Sequence, residues 1–168
     1  MIFLTVGTQG PFERLIKAMD DWCGETGRGG DVFGQIGTPL GETHRPGHFE
    51  WVERVTPDEF NRRFQAAKLI VSHAGMGSVI SALQAGKQIV IMPRSARLRE
   101  HRNEHQLATM RQMASRPGVH AAETEAALPD ALVQALNAAD DVNSPAIAPF
   151  AERGFTDALR AFMQHGKK

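Results

Sequence analysis

The chain has 168 residues, enough for one ordinary domain that buries a core without disulfides or structural metals. Hydrophobic residues make up 42% and charged residues 23%, the mix of a folded globular protein rather than a disordered or fibrous one. Lys plus Arg and Asp plus Glu both count 19, so no basic excess points to a nucleic-acid partner.

Ile2 to Val6 is a compact apolar run that ends at Gly7 and reads as a first strand. Met1 to Gly7 carries no basic leader, and its apolar stretch is too short for a signal peptide or a membrane span. Phe12, Leu15, Ile16, Met19 and Trp22 then recur at helical spacing. The single cysteine, Cys23, falls on the core side of that helix, which predicts a buried structural thiol in a reducing compartment.

Asp31 to Ile36 and Phe49 to Val55 have weaker strand patterns, separated by a Gly-, Pro- and His-containing stretch from Gly37 to His48. Thr56-Pro57-Asp58-Glu59 supplies a cap, a proline at the first helical position and early carboxylates, so a helix is expected from there to Ala67. Leu69-Ile70-Val71 and Ile89-Val90-Ile91-Met92 are unalternated β-branched runs, the pattern of strands buried on both faces. Between them a helix is expected over Ser78 to Ala85, stopped by Gly86. Further helices fit Asn103 to Ala114, Pro129 to Ala138 and Glu152 to Gln164, with a short strand at Val119 to Ala122.

This alternation, without repeat or linker, predicts a doubly wound α/β domain: a mostly parallel sheet with helices on both faces. Residues 1–168 form one domain, with 140–168 a C-terminal helical extension. Its Phe155, Leu159, Phe162 and Met163 are expected to close against the core, although with Lys167 and Lys168 after them they would also suit peripheral membrane contact. No segment approaches the ~20 apolar residues of a membrane helix, so membrane contact would be peripheral or borrowed from a partner.

In such sheets ligands sit beyond the carboxyl ends of the strands, which directs attention to the loops after Val6, Val71 and Met92. His73-Ala74-Gly75-Met76-Gly77-Ser78 joins a buried strand to a helix. Its glycines admit a ligand close to the backbone, and the helix's first N–H groups and dipole favour an anion. The same two glycines also fit a plain tight turn, and His73 a hydrogen-bonded strand end. Ile80 stands where a dinucleotide fingerprint needs its third glycine, and no P-loop lysine follows. Gly7-Thr8-Gln9-Gly10-Pro11 is a second strand-to-helix loop that would face the same crevice, although its polar residues also suit helix capping.

The third loop, Pro93 to Gln106, gathers Glu100, His101, Asn103, Glu104, His105 and Gln106, the mixed donors and acceptors that sugar hydroxyls require. His101-Arg102-Asn103-Glu104-His105 also spells the H-x-x-E-H of inverted zinc proteases. A metalloprotease-like reading would need a helix already formed at His101 and a third ligand, whereas Pro93 and the sequence after it suggest a loop.

Three stretches, Ile2 to Gln9, Val71 to Ser78, and Val90 to Arg94 with Glu100 to Gln106, resemble in order and spacing the C-terminal domain of glycosyltransferase family 28. The likeness is greatest to single-domain members: PssE-like exopolysaccharide glycosyltransferase subunits and the catalytic subunit of the eukaryotic dolichol-linked N-acetylglucosaminyltransferase. MurG is a more distant two-domain relative, and the chain begins at the first strand of that enzyme's C-terminal domain.

The resemblance implies a Rossmann-like half of a GT-B glycosyltransferase, an inverting hexosyltransferase of EC 2.4.1 type that is active only with a partner subunit. Its donor would be a UDP-sugar and its acceptor a polyprenyl-diphosphate-linked sugar, with no cofactor or metal required. The catalytic base would lie on a membrane-associated acceptor-binding subunit, placing the complex at the cytoplasmic face of the membrane. By position, His73 to Ser78 would embrace the diphosphate, and Gly7, Thr8 and Gln9 would face the inter-subunit cleft. The main chain near Arg54 and Val55 would meet uracil, and Asn103, Glu104 and Gln106 would hold sugar or ribose hydroxyls. MurG-like enzymes place a ribose-binding carboxylate on the helix after the diphosphate loop; Ser78 to Ala85 has none, and Glu100 or Glu104 is the substitute on offer. A noncatalytic UDP-sugar-binding regulatory module remains the alternative of a different class.

Overall fold

The structure is a computed structural model that describes residues 1–8, 10, 12–39, 41, 43–139, 146–148 and 153–165. Six strands form one sheet: β1 (Ile2–Thr5), β2 (Val32–Gln35), β3 (Glu50–Val52), β4 (Leu69–His73), β5 (Gln88–Met92) and β6 (Val119–Ala121). Their order is β3-β2-β1-β4-β5-β6 and every pairing is parallel, so the expected mostly parallel sheet is here wholly parallel. The helices are α1 (Glu13–Thr26), α2 (Pro57–Ala66), α3 (Met76–Gln84), α4 (His105–Met113), α5 (Leu128–Ala138) and α6 (Arg153–His165).

Alternation along each strand divides the core into two layers. Ile2, Leu4, Leu69, Val71, Val90 and Met92 pack with Leu15, Met19 and Trp22 of α1 and Leu132 of α5. Phe3, Ile70, Ile89 and Ile91 face the other way, against Phe64 of α2, Val79 and Leu83 of α3 and Met110 of α4. Each central strand is therefore buried on both faces, which is why β4 and β5 read as unbroken apolar runs. Cys23 is buried as expected, and that burial pushes its thiol up to about 12.

The remaining differences from the sequence reading have local causes. Asp31 closes a 3-10 turn, Gly29–Asp31, rather than opening β2. The strand expected over Phe49 to Val55 is only three residues long, because the pattern continues beyond the edge pairing with Phe33 to Gln35. Thr56 caps α2 as expected, its hydroxyl accepting from the Glu59 N–H at 3.2 Å. Helix α3 starts two residues early, at Met76, and Gly86 beyond its end has φ 63. Helix α4 starts two residues late, because the Asn103 N–H donates to His101 and Glu104 accepts from the Arg97 N–H, tying both residues to the preceding loop. The expected packing of the C-terminal helix does not occur among the described residues: Phe155, Phe162 and Met163 on α6 are 63%, 73% and 70% exposed. Glu152, Lys167 and Lys168 lie outside the described residues.

The segment after β2 is tied back to α1 by Asp20. This 4% exposed carboxylate accepts from the N–H groups of Gly47 (3.0 Å) and His48 (2.8 Å) and meets His44 Nε2 at 3.0 Å. Burial pushes the Asp20 carboxyl up, but those three bonds outweigh it and hold the group below its ordinary value.

Candidate functional site

The chain leaves β1 for β2 on one side, and β4, β5 and β6 are added on the other, so the switch point lies between the carboxyl ends of β1 and β4. Two strand-to-helix loops meet there. After β4, Ala74 is pinned by its N–H to Met92 O at 2.8 Å, and the Gly75 N–H turns back to His73 O at 2.7 Å. No side chain caps α3, whose first turn carries Gly77 and Ser78. After β1, Gly7 takes φ 75 and its carbonyl accepts from Gln35 Nε2 at 3.3 Å.

The His73 ring is wedged between these loops. A Cβ on Gly7 would lie 2.7 Å from its Cε1, and one on Gly75 would lie 2.3 Å from its Nε2, so a side chain at either position would have to displace the ring. Burial, then the charges of Arg94 and His101, push the imidazole down to about 4. His73 is therefore neutral at neutral pH, with Nδ1 3.3 Å from Ser72 Oγ.

A cleft of about 690 Å³ opens at this junction. Gly7, Thr8, His73, Gly75, Gly77, Ser78 and Val55 all line it, so these sequence-derived candidates come together. Ala74 is buried beneath the loop, and Gln9 lies outside the described residues. The far wall holds Gln35 at the end of β2, Thr38 after it, and Arg54 and Phe60 around the start of α2. Of these, Gln35, Thr38 and Phe60 were missed; the rule that ligands sit beyond strand ends, applied to β2, points to the first two. Neither Asp nor Glu is among the described lining residues.

A second cavity of about 1000 Å³ shares His73 and Gly75 with the cleft and extends under the β5–α4 loop, where Met76, Glu100, His101 and Gln106 line it. Glu100 is engaged elsewhere: Arg14 grips both its oxygens at 3.0 Å, and the Ser95 N–H donates to it at 2.9 Å. Glu104 accepts from Ser95 Oγ at 3.3 Å and the Arg97 N–H at 3.1 Å, and buried Gln106 accepts the Arg94 N–H at 3.1 Å. Asn103 pairs with the His105 ring, and neither Asn103 nor Glu104 lines either cavity. Arg94, unforeseen from sequence, is 2% exposed, lies over the Phe12 ring and donates to the carbonyls of Val6 (3.1 Å) and Gly10 (2.9 Å), fastening the β1 loop to the end of β5.

The H-x-x-E-H geometry of a zinc protease is not formed. His101 precedes α4, which begins at His105, so the two rings do not project from one helix face. No group of three or more His, Cys, Asp or Glu suited to a metal occurs among the described residues. No described helix is long and apolar enough to cross a membrane.

The model of the glycosyltransferase family 28 C-terminal domain matches residues 1–160. No curated protein matches the chain. Among solved structures, the glycotransferase of kitacinnamycin is similar at TM-score 0.57 and 18% identity, over 83% of this chain and 36% of that one. MurG of Acinetobacter baumannii gives 0.56 and 17% over 96% and 49%, and the solution structure of ALG13 gives 0.55 and 17% over 94% and 93%. These identities establish a shared fold, the Rossmann-like half of GT-B glycosyltransferases, and the chain spans less than half the length of the kitacinnamycin enzyme and MurG. With the family model covering nearly its whole length, the chain belongs to glycosyltransferase family 28, as a C-terminal domain of that family.

Proposed function

We propose that this chain is the donor-binding half of an inverting glycosyltransferase that passes a hexose from a UDP-sugar to a polyprenyl-diphosphate-linked acceptor in exopolysaccharide or glycan synthesis. The observation that carries the reading is the uncapped start of α3 opening on the cleft at the switch point. A diphosphate seated on Gly75 to Ser78 meets the unpaired N–H groups of Met76, Gly77 and Ser78 and the positive end of the helix dipole, about half an elementary charge. The same groups stabilise the departing UDP as the anomeric bond breaks, so this reading assigns no metal or cofactor. The nucleoside extends toward Val55 and half-buried Phe60, and the sugar toward the loop between β5 and α4.

Inverting transfer needs a base for the acceptor hydroxyl. The cleft offers no carboxylate among the described residues, and an imidazole held near 4 is a weak base. The reading therefore places the base and the part of the acceptor site that holds its lipid on a second, membrane-associated polypeptide working at the cytoplasmic face. The greater length of MurG and the kitacinnamycin enzyme supports a second half that closes the cleft. The same absence of a carboxylate favours, as the other reading, a noncatalytic UDP-sugar-binding module.

UDP release from a panel of UDP-hexoses by the chain co-expressed with its partner tests the proposal. Release that falls by roughly a hundredfold in Gly75→Ala, where the new methyl displaces the His73 ring, is the expected result. UDP binding without release from any donor would select the binding module.

A further inference from the structure

We propose that the second cavity is an anion subsite beside the donor loop, taking a carboxylate or phosphate that the substrates carry in addition to the donor diphosphate. The inference rests on α3 as the seat of that diphosphate. Four side chains that are cationic or can become so, Arg99, His101, Arg102 and His105, line the cavity, which adjoins the cleft at His73 and Gly75.

What decides its chemistry is which groups remain free. Neutral sugar hydroxyls need acceptors as well as donors. Of the two carboxylates of this loop, Glu100 lines the cavity but is taken by Arg14 and the Ser95 N–H, and Glu104, which accepts from Ser95 Oγ and the Arg97 N–H through one oxygen, lies outside the lining. The Gln106 carbonyl oxygen is taken by the Arg94 N–H, leaving its amide as a donor. Arg99 and Arg102, by contrast, make no side-chain hydrogen bond or ion pair with the described residues. The cavity thus presents mainly donors and positive charge, a set that satisfies an anion far better than a neutral hydroxyl.

His101 of this cavity and the buried Arg94 also lie close enough to His73 to disfavour its charged form, after burial. An anion seated here would lie next to the diphosphate loop, on the side toward which the donor sugar extends. Two sources share that chemistry: the carboxylate of an acidic donor sugar, and the diphosphate of the lipid-linked acceptor.

Calorimetry on the whole chain separates them. One arm compares UDP, UDP-glucose and UDP-glucuronate; the other adds a short-chain prenyl diphosphate to the UDP-saturated protein. A donor source predicts UDP-glucuronate binding on the order of tenfold tighter than UDP-glucose, the scale of one charge-assisted hydrogen bond. An acceptor source predicts that the UDP-saturated protein binds the prenyl diphosphate. In either case Arg99→Gln and Arg102→Gln, tested separately, reduce the gain while UDP affinity is retained. UDP binding without preference in either arm overturns the subsite and leaves the proposed function standing, as does a preference that survives both substitutions. Failure to bind UDP at all overturns both.

Discussion

His73 stands where the two loops of the cleft touch, and its protonation state is set by what surrounds it. Folding lowers its imidazole to about 4, whereas the unfolded chain takes up that proton near the ordinary value of about 6.5. The His73 contribution to stability is therefore complete above pH 6.5 and is lost as the pH falls from there toward 4. An NMR titration of the ring is expected to show a midpoint near 4 in the free chain, moving upward when UDP brings negative charge beside it. A midpoint near 6.5 would mean that the ring is solvated and the loops are not packed as described. The two glycines that flank the ring were legible as loop residues. That Gly7 makes room for a histidine, rather than for ligand alone, was not, because its contact with His73 joins residues 66 positions apart in the chain.

Among the elements, the β5–α4 loop departs most from its sequence reading. Its polar density suggested sugar contacts, yet Glu100 forms a bidentate pair with Arg14 in which both side chains are largely buried, at 12% and 14% exposure. Breaking such a pair leaves a largely buried guanidinium with only the more exposed Glu125 carboxylate and the Pro93 carbonyl to hold it. Glu100→Ala is accordingly expected to cost about 3 kcal/mol, read as a fall in the denaturant midpoint. A loss of donor binding with unchanged stability would instead mark Glu100 as a ligand. The strands at Leu69 and Ile89, the Thr56-Pro57 helix start and the Gly86 stop were all readable, since each depends on local periodicity or capping. The Arg14–Glu100 and Arg94–Gly10 bonds were not, because they span 86 and 84 residues and no local pattern encodes the partner. The exposure of α6 was likewise unreadable: an amphipathic helix shows that its apolar face requires cover but not which surface supplies it.

At the scale of the molecule, strand order turns these local signals into a site. Alternating strands and helices predicted a doubly wound sheet, and the order β3-β2-β1-β4-β5-β6 brings the loops after β1 and β4 into one crevice although about 65 residues separate them in sequence. The cleft's far wall, from Gln35, Thr38 and Phe60, follows from that order and from no motif. The function proposed for the cleft depends on a UDP diphosphate seated on the start of α3. Amide chemical-shift mapping during a UDP titration of the isolated chain tests it most directly. The largest changes are expected on Gly75, Met76, Gly77 and Ser78, with Gly7 and Thr8 following and α5 unaffected. Absence of saturable shifts, or shifts centred away from this junction, would contradict it.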